Sequence, residues 1–282
     1  MRIQMETRGA AEVVIGRQVG IGNTASVYEW GSNEVVKLFH PTEFARSDAE
    51  KEARNAELVS ELNLKAPRYS GRIEYEGRHG LIYEKIEGPT MLVRIEPNQE
   101  SVSYHARLMA QLQHEFHQVR VGRESNLKKE LLGRLNWTPE LSDAEKSRIR
   151  DIAAGLPDGD AFCHYDLHPG NIILSPNGPV LIDWMNVLIG DPAADVARSA
   201  MIIRSSDLPP DAPEWLQNSW LADRSHRLFF YEQYWNEYQA LSGMNQQNVE
   251  DWLAPTWAAR ILEVDRSSKN DLLTLIRERI TA

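Results

Sequence analysis

The stretch "FCHYDLHPGNI", Phe162–Ile172, together with "LIDW", Leu181–Trp184, governs how the rest of the chain is read. Its first eleven residues hold the only cysteine, two histidines, an aspartate and an asparagine. A zinc site would use Cys163, His164 and His168, but adjacent Cys and His side chains project in different directions, and no second cysteine completes a known spacing. Thiol catalysis needs a base beside Cys163. His164 is badly placed for that as its immediate neighbour, and the apolar lead-in "AFC" suggests a small buried core residue. Phosphoryl transfer asks instead for a proton acceptor and for oxygen ligands to hard metal ions. Asp166 and Asn171 stand five residues apart across the turn "LHPG", and Asp183 lies twelve further on. The turn "PNGP" folds "VLID" back beside "NIILS", which brings these three oxygen-bearing side chains to one end of a hairpin. The plainer alternative is a capped hairpin turn with incidental polar residues.

Working outward, the sequence before this stretch has strand character. "EVVIGRQVG", "ASVYEW" and "EVVKLF" are short, valine-rich and separated by Gly/Asn turns, as antiparallel hairpins are. After Pro41, Phe44, Ala49, Ala53, Ala56, Val59 and Leu62 recur at helical spacing, which predicts an amphipathic helix starting near Thr42 or Ser47. Two strands follow, "RYSGRIEYEG" and "HGLIYEKIEG", and Gly88-Pro89 is a breaker where a hinge is expected. Beyond it the pattern is helical over about 99–119, 125–136, 142–155, 191–204, 213–242 and 246–281 with breaks, interrupted by the hairpin "NIILS"/"VLIDWM". The expected organisation is therefore α+β and bilobal. Residues 1–88 form an antiparallel sheet with one helix, and residues 89–282 a larger, mainly helical lobe.

Composition narrows the setting. A chain of 282 residues, 42% hydrophobic, can build a real core. No run reaches a membrane span, the N-terminus lacks the apolar centre of a signal peptide, and one cysteine makes no internal disulfide, so a cytoplasmic protein without membrane partner is expected. The net charge of −10 falls mostly after residue 88. Such a surface repels nucleic acid and favours a cationic ligand, although acidity also serves solubility alone.

"HYDLHPGN" followed by "LIDW" resembles the catalytic loop and metal-binding motif of the protein-kinase-like fold, in the form used by aminoglycoside phosphotransferases and related small-molecule kinases. The resemblance implies that Asp166 is the catalytic aspartate, that His164 supports the loop, and that Asn171 and Asp183 bind Mg2+. In "VGIGNTASVYEW" it implies a phosphate-covering loop, with Gly20 and Gly22 admitting the nucleotide and Val27 packing on its base; the same stretch also reads as a plain hairpin turn. Lys37 would orient the phosphates with Glu52 as its partner, chosen over Glu50 and Glu57. The other reading of Lys37 is a solvent-facing strand lysine. Backbone groups of Glu84 and Ile86 would meet the adenine, and Asp195 in "GDPAADVAR" would brace the catalytic loop, with Asp191 equally suited to a helix N-cap. The implied cofactors are ATP, with GTP as the alternative, and Mg2+. These segments occur in the expected order over residues 18–198.

The last third determines the acceptor and is the least legible. Aromatic residues in "RLFFYEQYWNEY" lie at helical spacing, which favours core packing over a substrate wall. Asp207, Asp211 and Glu214 form an acidic, proline-rich stretch that either meets a cationic amine or is a solvated connection. The expected reaction is transfer of the γ-phosphate of ATP to a hydroxyl of a small molecule, an aminoglycoside or other amino-sugar first. The alternatives are a kinase of choline or another small metabolite, and a nucleotide-binding module without transfer. Few residues separate Asp183 from "GDPAAD", too few for the long activation segment of a protein kinase. Tyr165 departs from the glycine common at this place in small-molecule kinases, and its bulk beside Asp166 points toward a part in shaping the acceptor site.

Overall fold

The computed structural model describes residues 15–22, 24–122, 124–205, 223–264 and 266–281. They form two compact units, one comprising the described residues up to Thr90 with Asn171–Asn186, the other Met91–Gly170 with those from Val187 onward. The acidic stretch with Asp207, Asp211 and Glu214 lies outside the described residues.

The first unit is built on five antiparallel strands, β1 (Ile15–Ile21), β2 (Ala25–Trp30), β3 (Glu34–Phe39), β4 (Tyr69–Tyr75) and β5 (Arg78–Glu84), in the order β1-β2-β3-β5-β4. Helix α1 (Ala45–Glu61) connects β3 to β4. Strand alternation sorts the side chains onto two faces. Trp30, Val36, Leu38, Ile73 and Ile82 pack on one, while Phe39, Leu81 and Tyr83 pack with Ala45, Ala49, Ala53 and Ala56 of α1 on the other. The small alanines let α1 lie close to the sheet. Its N-cap is Phe44, which makes no side-chain cap bond, rather than Thr42 or Ser47; the Ser47 hydroxyl donates to the Phe44 carbonyl instead.

Four short strands come much later, β6 (Ala161–Cys163), β7 (Ile172–Ser175), β8 (Gly178–Leu181) and β9 (Leu188–Gly190). β7 and β8 are the expected hairpin, in the first unit. The strand expected over "VLIDWM" ends at Leu181, because Asp183 takes φ +66° and residues 184–186 form a 3-10 turn that buries Trp184. A left-handed residue cannot continue a strand. The hairpin is tied to the segment after β5: Leu174 N–H donates to the Pro89 carbonyl at 2.9 Å, and Thr90 bridges Ile173. Gly88 has φ +138°, and a Cβ there would collide with the Leu174 carbonyl oxygen, so only glycine fits.

In the second unit β6 pairs with β9, a pairing of three-residue strands too short to leave a sequence pattern. Around it lie α2 (Met91–Arg94), α3 (Gln99–His117), α4 (Leu127–Arg134), α5 (Asp143–Ala154), α6 (Pro192–Arg204), α7 (Arg224–Ser242), α8 (Gln246–Asp251), α9 (Leu253–Arg260) and α10 (Arg266–Thr281). Asp191 caps α6, accepting from Ala193 N–H at 3.0 Å, with Pro192 in the first turn. Leu135, Ile149, Ala258, Ile261 and Ile276 form one core cluster. Phe230, Tyr234 and Tyr238 of α7 are buried, so this aromatic row is core, as its spacing favoured. No described helix is long and apolar enough to cross a membrane.

Candidate active site

Each unit presents its own set of candidate residues. In the first, cross-strand register places Gly20 opposite Val27, Val27 opposite Lys37, and Lys37 opposite Leu81. Directly opposed residues share a face, so Val27 and Lys37 stand with Leu81 on the side that carries α1. Neither Gly20 nor Gly22 has positive φ, and a Cβ on either would make only ordinary contacts, with Val27 at 3.5 Å and with the Ala25 carbonyl at 3.7 Å. The hairpin itself therefore does not demand these two glycines.

Lys37 is the centre of this set. Its ammonium donates to both Glu52 oxygens, at 2.9 and 2.8 Å, and to Asp183 Oδ1 at 2.9 Å. The lysine is almost buried, at 13% side-chain exposure, which excludes the solvent-facing reading. Burial pushes its pKa down, but the Asp183 and Glu52 carboxylates outweigh that and hold it above the usual lysine range. Glu52 is the acid that helical phase turns inward; Glu57 is exposed and Glu50 pairs with Arg46 at 3.0 Å. The Tyr83 hydroxyl donates to Glu52 at 3.1 Å.

Three residues beyond Glu52, one turn along α1, Asn55 donates to the Trp184 and Met185 carbonyls at 2.8 and 3.1 Å. One helix thus holds both the lysine and the backbone just after Asp183. Nothing in the sequence around Asn55 signals this, because its partners are about 130 residues away. Across the hairpin, Ile182 N–H donates to the Asn171 carbonyl at 3.0 Å, which sets Asn171 beside the strand end that carries Asp183. Asn171 and Asp183 offer only oxygen donors, next to an ammonium that already offsets one of two carboxylates. That donor set fits a hard divalent cation such as Mg2+. At the end of β5, Glu84 N–H is taken by the Arg68 carbonyl at 2.8 Å, whereas no backbone hydrogen bond involves Ile86 among the described residues.

In the second unit the loop after β6 is organised by Asp195. This carboxylate is fully buried and accepts from His164 N–H at 3.1 Å, Tyr165 N–H at 2.7 Å and His117 Nε2 at 2.9 Å. Burial raises its pKa, but donation from His117 outweighs this and holds the carboxyl below its usual range. Two successive N–H groups converge on one carboxylate, and Tyr165 adopts φ +60° in doing so. His117 is held on its other side by the Tyr238 hydroxyl at 2.7 Å. His164 is buried, with its ring 6.4 Å from that of Phe116. His168 Nδ1 accepts from Gly170 N–H at 3.1 Å, a turn-forming bond.

Among the described residues, His117, Cys163 and Asp195 have ligating atoms within 4.8 Å of one another. Both His117 nitrogens and both Asp195 oxygens already serve the hydrogen bonds above, and burial pushes the Cys163 thiol well up, which argues against thiolate chemistry; this trio is not the Cys163, His164 and His168 set that the zinc reading would use.

Asp166 follows Tyr165 directly. Its Oδ1 accepts from Arg198 Nη2 at 3.3 Å, and the same nitrogen donates to Glu263 Oε2 at 2.6 Å. Glu263 also pairs with Arg260 at 2.6 Å and with Arg134. The Tyr165 ring is only 3% exposed; it lies 5.6 Å beneath the Arg198 guanidinium and its hydroxyl contacts Thr256 at 3.4 Å. The tyrosine thus supports this cluster from inside and offers almost no surface to an acceptor. Sequence reading missed His117, Arg198 and Glu263. Arg198 alone left a trace, as a lone charge three residues after Asp195 in the apolar helix "AADVARSAMII".

An antiparallel sheet whose buried lysine pairs with a helical glutamate, and a braced acidic loop in a helical unit, define a phosphotransferase of kinase-like fold. Residues 15–241 match the model of the phosphotransferase enzyme family, APH. The chain belongs to that family and is a small-molecule kinase. Among curated protein sequences none matches it. Solved structures share its fold. The GDP and kanamycin complex of APH(2'')-IIIa is 16% identical with TM-score 0.56, covering 95% of this chain and 94% of that one. The ADP and hygromycin B complex of a thermostable mutant of APH(4)-Ia is 11% identical with TM-score 0.61, covering 95% and 92%. An ethanolamine kinase from Plasmodium vivax is 14% identical with TM-score 0.55, covering 97% and 84%.

Proposed function

We propose that the chain transfers the γ-phosphate of ATP to a hydroxyl of a small amine-bearing molecule, an amino-sugar first. The observation that carries this is Lys37, nearly buried and shared between Glu52 and Asp183. A lysine held charged in an apolar sheet by two carboxylates is suited to receive phosphate oxygens, and Gly20 and Gly22, not required by their own hairpin, leave room for backbone N–H groups to approach them. Ile86 has backbone groups to offer an adenine. Asn171 and Asp183 would hold Mg2+, which when bound neutralises charge on the β- and γ-phosphates. Asp166 accepts or orients the proton of the acceptor hydroxyl, and Asp195 fixes the backbone from which Asp166 projects. Positioning and charge stabilisation supply most of the rate.

The net charge of −10 supports a cationic acceptor, as do structural relatives described with kanamycin and hygromycin B. The test is ATP consumption across a panel of aminoglycosides, other amino-sugars, choline, ethanolamine and sugars, repeated with GTP. Turnover with an amine-bearing alcohol is expected, and turnover only with uncharged sugars would refute the acceptor class. Asp166→Asn, folded as judged by circular dichroism, should lose at least about 100-fold in kcat. Unchanged turnover in that variant would remove Asp166 from the mechanism.

A further inference from the structure

The cluster around Arg198 contains more charge than its burial requires. Arg198 is 2% exposed, and an unpaired guanidinium there would be strongly destabilising. Glu263 alone could pair it, at 2.6 Å, yet the same Nη2 also reaches Asp166 at the longer 3.3 Å. Glu263 is in turn held by Arg260 and Arg134, and Arg134 also reaches Glu130 at 3.9 Å, so three guanidinium groups share three carboxylates, with the Tyr165 ring beneath Arg198. Among the described residues, Arg198 Nε is buried with no hydrogen-bond partner. The arginine therefore keeps an unused donor that a closer, two-pronged pair with Asp166 would satisfy. Such a pair would occupy the oxygens with which Asp166 meets an acceptor hydroxyl. Glu263 draws Arg198 the other way.

We propose that Arg198 and Glu263 are a positioning pair for Asp166. Arg198 orients the carboxylate through one long contact, and Glu263 restrains Arg198 from closing on it. This rests on the reading of Asp166 as the residue that meets the acceptor hydroxyl. Glu263 acts on Asp166 only through Arg198, so its effect on turnover vanishes when Arg198 is gone.

The experiment measures ATP hydrolysis, with Mg-ATP as substrate and water as acceptor, for the unaltered chain, Glu263→Gln, Arg198→Met, Arg198→Lys and the double variant Arg198→Met/Glu263→Gln. Mg-ATP affinity is followed by calorimetry and folding by thermal melting. Expected for Glu263→Gln and Arg198→Met is a fall in kcat on the order of tenfold to a hundredfold, the scale of a misplaced catalytic group. KM and affinity for Mg-ATP should stay within about twofold, since the pair is assigned to Asp166 and given no part in holding phosphate or base. The double variant should match Arg198→Met. Arg198→Lys keeps the charge without the fork and should fall between, and it gives the same reading where Arg198→Met does not fold. A structural role alone would lower the melting temperature and leave kcat per folded molecule untouched; that result, or losses that multiply in the double variant, overturns the proposal. If the unaltered chain neither binds nor hydrolyses Mg-ATP, the functional reading itself falls and the proposal with it. Hydrolysis by the unaltered chain with kcat unchanged in Glu263→Gln sinks this proposal alone.

Discussion

Tyr165 and Asp183 are both non-glycine residues with left-handed backbone, at φ +60° and +66°. Such conformations cost about 1–3 kcal/mol each and persist where the surroundings over-determine them. For Tyr165 the determinants are the two N–H bonds to Asp195, the Arg198 guanidinium above the ring and the Thr256 contact. Where related motifs carry glycine the turn is free of this strain; here a buried ring offsets it. Tyr165→Gly should relieve roughly 1 kcal/mol of strain but forfeit an aromatic worth about 3–5 kcal/mol. A net loss of about 2–4 kcal/mol in urea unfolding is expected. Tyr165→Phe keeps the ring and loses only a long hydroxyl contact, so it should cost less than about 1 kcal/mol. A glycine variant more stable than the parent would show that the ring contributes nothing.

At the scale of elements, α1 does three jobs with one 17-residue helix. Its alanines seat it on the sheet, Glu52 holds Lys37, and Asn55 holds the Trp184 and Met185 carbonyls. The alanine stripe was legible because periodicity is local. Glu52 could be chosen by its phase, but Asn55 could not, because an asparagine on a half-buried helical face looks like any solvated polar residue until the turn after Asp183 arrives. Asn55→Ala should leave two carbonyls short of a donor and cost about 1–2 kcal/mol. It should also raise the KM for Mg-ATP more than it lowers kcat, since it loosens the backbone beside Asp183. A steady-state comparison checks this, and an unchanged KM would separate Asn55 from the nucleotide grip.

For the molecule as a whole, carboxylates held by arginines contribute to the acid limit of stability. Burial raises the Glu263 pKa, but Arg198, Arg260 and Arg134 outweigh it and pull it down to about 2. A carboxyl depressed in the folded state contributes stability that is complete above its unfolded value, near 4.5, and is lost as pH falls through about 2. Glu263 is partly exposed, so solvent screens the pairing, and on the order of 1 kcal/mol should disappear between pH 7 and pH 3 from this group. Urea unfolding at both pH values should show a smaller acid-side loss in Glu263→Gln than in the parent. Equal losses in the two proteins would mean that Glu263 is not held as an ionised partner of these arginines.

The sequence alone determined the order of the longer elements, the α+β class and the residues of the loop and hairpin that carry oxygen chemistry, because strand alternation, helix period and a motif of a few residues are all local properties. Only the tertiary structure decided which charges pair and which backbones bend. Lys37 takes Glu52 and Asp183, Asp195 takes His117, and Asp166 shares Arg198 with Glu263, across separations of 15 to 146 residues. The physical reason is desolvation. A buried charge must find its counter-charge, and which one lies within reach is fixed by the packing of distant elements rather than by anything near it in the chain.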